Sequence, residues 1–272
     1  MSDPRNDSSQ ASTSLSSRAR DALHHRATPY GNYKNYYTFR PASTSTPTSS
    51  LEPQGTSTPS TNEPSQPGVD LSDDLDQRLQ LLGPDPFRGK RVLDLGTNAG
   101  KISIDIRTRF DPASVVGVDI DPILVDDAKR IACESNLGND DRVSFEVGDF
   151  MQPEWFAQLE ERSRAHPRFE TVLLFSVTKW LHLHHGDAGM IRLFESLYSY
   201  LPSGGVCIQE PQERENYGRA VKKNKDLREV YKSIAIWPPF DKEMQDAGFA
   251  LEKRIERVEG GFSRPLLVWR KS

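Results

Sequence analysis

From Arg91 onward, short apolar runs alternate with longer stretches in which apolar residues recur every three or four positions. RVLDLG reads as a buried strand ending at a glycine turn, and Ile102, Ile104, Ile106 and Phe110 then mark a helix. SVVGVDID reads as a second strand. The stretch from Pro122 follows as a helix, with the proline suited to its first turn and Gly138 to its stop. Further strands are expected at Val143 to Val147, Thr171 to Ser176 and Gly205 to Gln209, with a helix from about Asp187 to Leu201. Strands alternating with helices imply an α/β fold with a parallel sheet. After Phe240 a helix runs to about Ala247, and LEKRIERV and PLLVWRK follow as two β-type runs separated by EGGFSR. That short connection predicts a C-terminal antiparallel hairpin completing a mostly parallel seven-stranded sheet.

The first part of the chain follows another pattern. Residues 1–29 and 41–69 are rich in Ser, Thr, Pro, Gln and Asn and read as a disordered tail and a linker; residues 70–272 hold one domain. Between the two tracts lies YGNYKNYYTFR, residues 30–40. Disordered segments lack aromatic surface, so an aromatic cluster of this kind reads as a docking segment, or lid. A net charge of −4 argues against a protein that coats nucleic acid through a basic surface. Cys133 and Cys207 are far apart without metal-type spacing, which favours a reducing compartment. The N-terminus has no apolar signal region, and no stretch has membrane-span length. The chain is therefore expected to be soluble and intracellular.

The segment Asp94-Leu95-Gly96-Thr97-Asn98-Ala99-Gly100 carries a strand through a glycine turn into a helix, which lets backbone approach a ligand at the carboxyl edge of the sheet. Asn98 stands where a dinucleotide fingerprint has its second glycine, and Asn tolerates positive φ. Asp119, followed by Ile120, is placed to accept the hydroxyls of a ribose. Gly148, Asp149 and Phe150 lie at the adenine end, and Phe175 lies near the end of the fourth strand. Together these residues point to an adenosine cofactor; the alternative is that the glycines serve tight turns and the aspartates cap helices. Nicotinamide cofactors compete through a Tyr-x-x-x-Lys spacing at Tyr30 to Lys34, but that pair precedes the glycine turn. The missing middle glycine and the C-terminal hairpin favour S-adenosyl-L-methionine and a Rossmann-like class I methyltransferase fold.

YGNYKNYYTFR, VLDLGTNAGK, GVDID, FSVTKWLHLHHGDAG, IQEPQ and GGFSRP together resemble the methylphosphate capping enzymes, the bicoid-interacting protein 3 family. The resemblance runs from Tyr30 almost to the C-terminus. It implies methylation of the 5′-terminal phosphate of a small non-coding RNA, commonly the γ-phosphate of a triphosphate end; one branch of the family methylates 5′-monophosphate ends. It also implies a nuclear rather than cytoplasmic location and a monomeric catalytic domain. Two departures stand out: Thr97, where the family tends to carry Cys, and the low-complexity insert.

A phosphate oxygen is ionised near neutral pH, so its methylation needs in-line positioning and partial charge screening rather than a strong base. Lys179 is expected to hold the phosphate, with Tyr30 and His182 beside it as catalytic residues. Asn32, Tyr33, Thr178, Trp180, Glu210, Gln212 and Arg264 are expected on the substrate, and Tyr30 and Arg40 also on the cofactor. The bland readings stand beside these: Trp180 as core, His184 and His185 as surface residues, Glu210 as a cap, Arg264 as an anchor of the hairpin. The histidines lack a second ligand group, so no metal site is expected. Arg214 to Arg228 is rich in cations and reads either as a solvated helix face or as a contact for RNA phosphates. The acidic net charge leaves room for a partner protein that supplies RNA affinity. Two rivals remain: a methyltransferase acting on a small molecule or protein, and a non-catalytic RNA-binding subunit that retains the fold.

Overall fold

The structure, a computed structural model, describes residues 75–162, 168–256 and 264–272. The aromatic segment 30–40 and the flanking tracts lie outside the described residues, and with them the expectations for Tyr30, Asn32, Tyr33 and Arg40. Strands β1 (Arg91–Leu95), β2 (Ser114–Asp119), β3 (Val143–Val147), β4 (Thr171–Phe175), β5 (Val206–Glu210), β6 (Phe249–Ile255) and β7 (Leu266–Lys271) form one sheet in the order β3-β2-β1-β4-β5-β7-β6. The first five strands pair in parallel. β7 runs antiparallel to both β5 and β6, as the hairpin pattern predicts.

Strands β1, β2, β4 and β5 are largely apolar because both faces of the sheet are covered there. Alternation along β4 sends Val172 and Leu174 to one core and Leu173 and Phe175 to the other. The second of these cores takes its cover from α1 (Gln77–Leu82), α2 (Lys101–Arg109) and α3 (Pro122–Glu134). The first is covered by α4 (Trp155–Arg162), α5 (Thr178–Tyr200) and α8 (Asp241–Asp246). β6 is different: after Phe249 its residues are exposed and include Glu252, Lys253 and Arg254, the charged surface that suits a sheet edge. Helix α6 (Arg214–Lys223) and α7 (Arg228–Ser233) pack a smaller cluster, with Tyr217, Val221 and Leu227 against Leu183 of α5. None of the helices described is long and apolar enough to cross a membrane.

Two expected boundaries move. Helix α3 ends at Glu134, with Asn136 at φ 60°, because Asn takes the left-handed conformation before Gly138 is reached. Helix α5 starts at Thr178 rather than near Asp187, so the stretch from Thr178 to His185 is helical. Gly186, at φ 63° and ψ −172°, interrupts that helix in a conformation reserved for glycine. Reading the Gly186–Asp187 step as a start therefore located the break but missed the turns before it.

The sheet order reverses between β1 and β4, which are neighbours whose following segments leave toward opposite sides. Ligands of open α/β sheets bind in the crevice at such a switch point. Here it is flanked by the turn after β1 and the turn after β4. These turns approach closely: a Cβ on Gly96 would lie 2.7 Å from Val177 Cγ2.

Candidate functional site

The turn after β1 is held in shape by buried polar contacts. Gly96, Asn98 and Gly100 adopt φ of 79°, 55° and 78°, so the Asn does what its tolerance of positive φ allows. Asp94 is buried, and its Oδ2 accepts hydrogen bonds from Thr97 Oγ1 and Ser103 Oγ, each at 2.8 Å. Burial raises its pKa against the pull of those two hydroxyls. The side chains of Asp94 and Thr97, both expected on the cofactor, brace the turn from inside.

Asp119 ends β2 beside this turn. Its Oδ2 accepts the Asn98 N–H at 2.9 Å and its Oδ1 the Asp121 N–H at 3.0 Å. Burial pushes the carboxyl up to about 6, although both N–H groups favour the charged form. A carboxylate offers about four lone-pair sites, so two remain for the hydroxyls of a ribose. Asp149 accepts the Met151 N–H and Gln152 Nε2, at 3.1 and 2.7 Å. Phe150, expected at the adenine end, is buried edge-on against Trp155, ring centroids 6.2 Å apart. Phe175 is similarly covered, with the Arg78 guanidinium 4.8 Å above its ring. An acceptor at a strand end beside a positive-φ turn suits an adenosine group, and these residues fit S-adenosylmethionine on that ground.

The turn after β4 forms the opposite wall. Ser176 takes φ 56°, and Gln212 clamps the turn: its Nε2 donates to the Ser176 carbonyl and its Oε1 accepts from Lys179 N at 3.1 Å and Thr178 Oγ1 at 3.3 Å. Thr178 and Gln212, expected on the substrate, are buried and hold the backbone that presents Lys179. Glu210 requires the same correction. It has no exposed surface and accepts from Arg78 Nη1 at 2.8 Å and from Ser176 Oγ, since a buried carboxylate is costly unless paired.

Arg78 is the residue that sequence reasoning missed. Only 1% exposed, it grips Asp76 with Nε at 2.9 Å and Nη2 at 2.8 Å while reaching Glu210. The Asp-x-Arg spacing in DLDQRLQLL was the only available signal, and nothing in it foretold a partner 132 positions away.

Lys179 is 6% exposed, with its ammonium 4.3 Å from the Trp180 ring centre. Burial, then the charges of Arg264 and Lys223, lower it to about 8. Arg264 is buried and donates from Nη1 to Ser176 Oγ at 3.0 Å. His182 occupies a different environment. Its ring is wholly buried, Nε2 is 2.7 Å from Asp187 Oδ1, and Nδ1 is 3.3 Å from the Tyr217 hydroxyl. Burial lowers its pKa against Asp187, which fits a neutral ring donating from Nε2 and accepting at Nδ1. With both nitrogens engaged, His182 ties α5 to α6 instead of facing a phosphate, which corrects its expected catalytic contact. The described residues contain no group of three His, Cys, Asp or Glu side chains able to hold a metal ion.

This arrangement has known relatives. The family profile described as Bicoid-interacting protein 3 matches residues 169–271, and one described as a methyltransferase domain matches residues 93–207. Over 257 residues, covering 89% of this chain and 75% of the relative, the sequence is 32% identical to the U6 snRNA methylphosphate capping enzyme Amus of Drosophila melanogaster. The chain belongs to the bicoid-interacting protein 3 family. The chain is also 27% identical to the RNA 5′-monophosphate methyltransferase of Mus musculus over 254 residues, covering 79% of this chain and 72% of that protein. The N-methyltransferase NodS of Bradyrhizobium japonicum matches the fold alone, with a TM-score of 0.51, 12% identity, and coverage of 72% of this chain and 94% of that one. This family member has the Rossmann-like class I fold and is an S-adenosylmethionine-dependent methyltransferase.

Proposed function

We propose that this methyltransferase methylates the 5′-terminal phosphate of a small non-coding RNA, with the γ-phosphate of a triphosphate end as its substrate. The observation that carries this reading is the pair of buried cations, Lys179 and Arg264, gathered on the turn after β4 beside the Gly96 turn. A buried cation pair favours an anion, and a terminal phosphate is one that enters without a protein scaffold of its own. S-adenosylmethionine supplies the electrophilic methyl group when bound. Gly96, Asn98 and Gly100 give its backbone cradle, and Asp119 and Asp149 hold its nucleoside. Lys179 and Arg264 orient the phosphate and screen its charge, and the oxygen needs no base because it is already ionised. His182 acts through Asp187 and Tyr217 as a positioning residue for the helix that carries Lys179.

The reading extends to the segment 30–40, outside the described residues, to which it assigns a role as a lid: Tyr30 and Arg40 for the cofactor, and Tyr30, Asn32 and Tyr33 for the phosphate. The Ser/Thr-rich linker tethers it to the domain. The negative net charge leaves room for an RNA-binding partner that adds affinity, and the reading includes a nuclear location and a monomeric catalytic domain. The test is incubation with labelled S-adenosylmethionine and total small RNA, followed by phosphatase. Label on a 5′ end that resists phosphatase supports the reading. Label confined to internal nucleotides, or to protein, contradicts it.

A further inference from the structure

Side chains from four separate segments form one buried line behind the Lys179 turn. Asp76 precedes α1, Arg78 lies in α1, Glu210 ends β5, Ser176 follows β4 and Arg264 precedes β7. All five are at least nine-tenths buried. Asp76 fixes the guanidinium of Arg78 with both carboxylate oxygens, and Arg78 Nη1 donates to Glu210 Oε2 at 2.8 Å. The same Glu210 oxygen accepts the Ser176 hydroxyl proton. That donation fixes the direction of the line. With its proton spent on Glu210, the Ser176 oxygen turns a lone pair to Arg264, whose Nη1 donates to it at 3.0 Å. Arg264 is thereby held at the turn that presents Lys179.

Lys179 and Arg264 are both buried, Arg264 is bonded to the Ser176 turn that leads into Lys179, and the charges of Arg264 and Lys223 act on Lys179. Burying like charges together raises the free energy of the charged forms, and a bound phosphate lowers it. Holding Arg264 there through other buried polar residues is difficult to account for by folding, because well-packed apolar residues would fill the same volume as well or better.

We propose that Asp76, Arg78, Glu210 and Ser176 are positioning residues that hold Arg264 against Lys179, so that the two cations grip one terminal phosphate of the substrate. This inference rests on the phosphate-methylation reading above. It adds to that reading a device reaching from α1 to the hairpin, whose last link is a single serine hydroxyl.

The test is a cycle of Ser176→Ala, Arg264→Ala and the double variant, in the full chain, with a 5′-triphosphorylated transcript. Ser176→Ala leaves the Arg78–Glu210 pair in place. Ser176→Gly, which suits the φ of 56°, provides a second route to the same loss should the alanine variant melt early. Each single variant is expected to raise KM for the transcript about tenfold, while the dissociation constant for S-adenosylmethionine stays within about twofold. The double variant is expected to be no worse than the poorer single one, because both remove the same placement. A purely structural serine would lower the melting temperature and leave that split unmoved. An unchanged KM in Ser176→Ala and Ser176→Gly, or losses that multiply in the double variant, would overturn the proposal. Should the wild-type protein methylate no terminal phosphate, the underlying reading falls and the relay with it; an active wild type with indifferent serine variants sinks the relay alone.

Discussion

Replacing Lys179 by Met tests the phosphate site through both magnitude and pH. The substitution keeps most of the aliphatic stem on Trp180 and removes the ammonium 4.3 Å from that ring. Truncating one partner of a buried charge pair costs about 2–5 kcal/mol; because Arg264 stays in place, the lower end applies, about 2–3 kcal/mol or about 30- to 150-fold in kcat/KM. The pH profile gives a sharper signature. The wild-type ammonium, lowered to about 8 by burial and by Arg264 and Lys223, is charged below that pH and neutral above it. Activity should therefore fall as pH rises through 8. On the acid side it should fall below about 6, where the terminal phosphate takes up its proton. The Met variant should lose the alkaline limb and keep the acid one. Initial rates on a 5′-triphosphorylated transcript across the range from acid to alkaline pH, together with calorimetric titration of S-adenosylmethionine, decide the matter. Full activity in the variant, or an alkaline limb that persists without Lys179, would refute the reasoning.

Other consequences follow from the cofactor side. Asp119, pushed up to about 6, must be ionised to accept both ribose hydroxyls. Affinity for S-adenosylmethionine should be flat above about pH 7 and weaken about tenfold per unit below about 6, and a dissociation constant that does not change across that range would count against its role. Gly96→Ala meets both a φ of 79° and a contact of 2.7 Å with Val177 Cγ2. The backbone term alone is about 1–2 kcal/mol, so cofactor affinity should drop about tenfold and Val177→Ala should restore part of it. Normal binding in the Gly96→Ala variant would mean that the two turns do not confine the ligand. Deleting Met1 to Arg40 should abolish methyl transfer and leave the melting transition of the domain in place, whereas undiminished activity would remove the lid from the account.

Strands β1, β2, β4 and β5 were legible because each is a short, largely apolar run between turn residues, and burial on both faces of the sheet demands that composition. The glycine turn was legible for a related reason: Gly96, Asn98 and Gly100 announce positive φ directly. What sequence reading lost was partnership at long range. Glu210 and Gln212 follow a strand at the functional edge and so resemble substrate ligands. Only the fold reveals that Arg78 and Ser176 already occupy the carboxylate, and that the Lys179 turn occupies the amide. His182 misled in the same way, since its partners Asp187 and Tyr217 are brought to it by a helix break at Gly186 and by the packing of α6. Arg78 was missed outright. A lone arginine in a short amphipathic stretch is ordinarily a surface residue, and its burial depends on two carboxylates, Asp76 beside it and Glu210 at the end of β5.

The most direct test of the central claim is methyl transfer to one transcript prepared with mono-, di- and triphosphate 5′ ends, with the terminal nucleotide analysed by mass spectrometry. The account predicts a single added methyl on the γ-phosphate of the triphosphate form and markedly slower reaction of the other two. Preference for the monophosphate would contradict the γ-phosphate assignment while sparing the cation pair, and a methyl found on a base or ribose of any of the three would contradict the phosphate site itself.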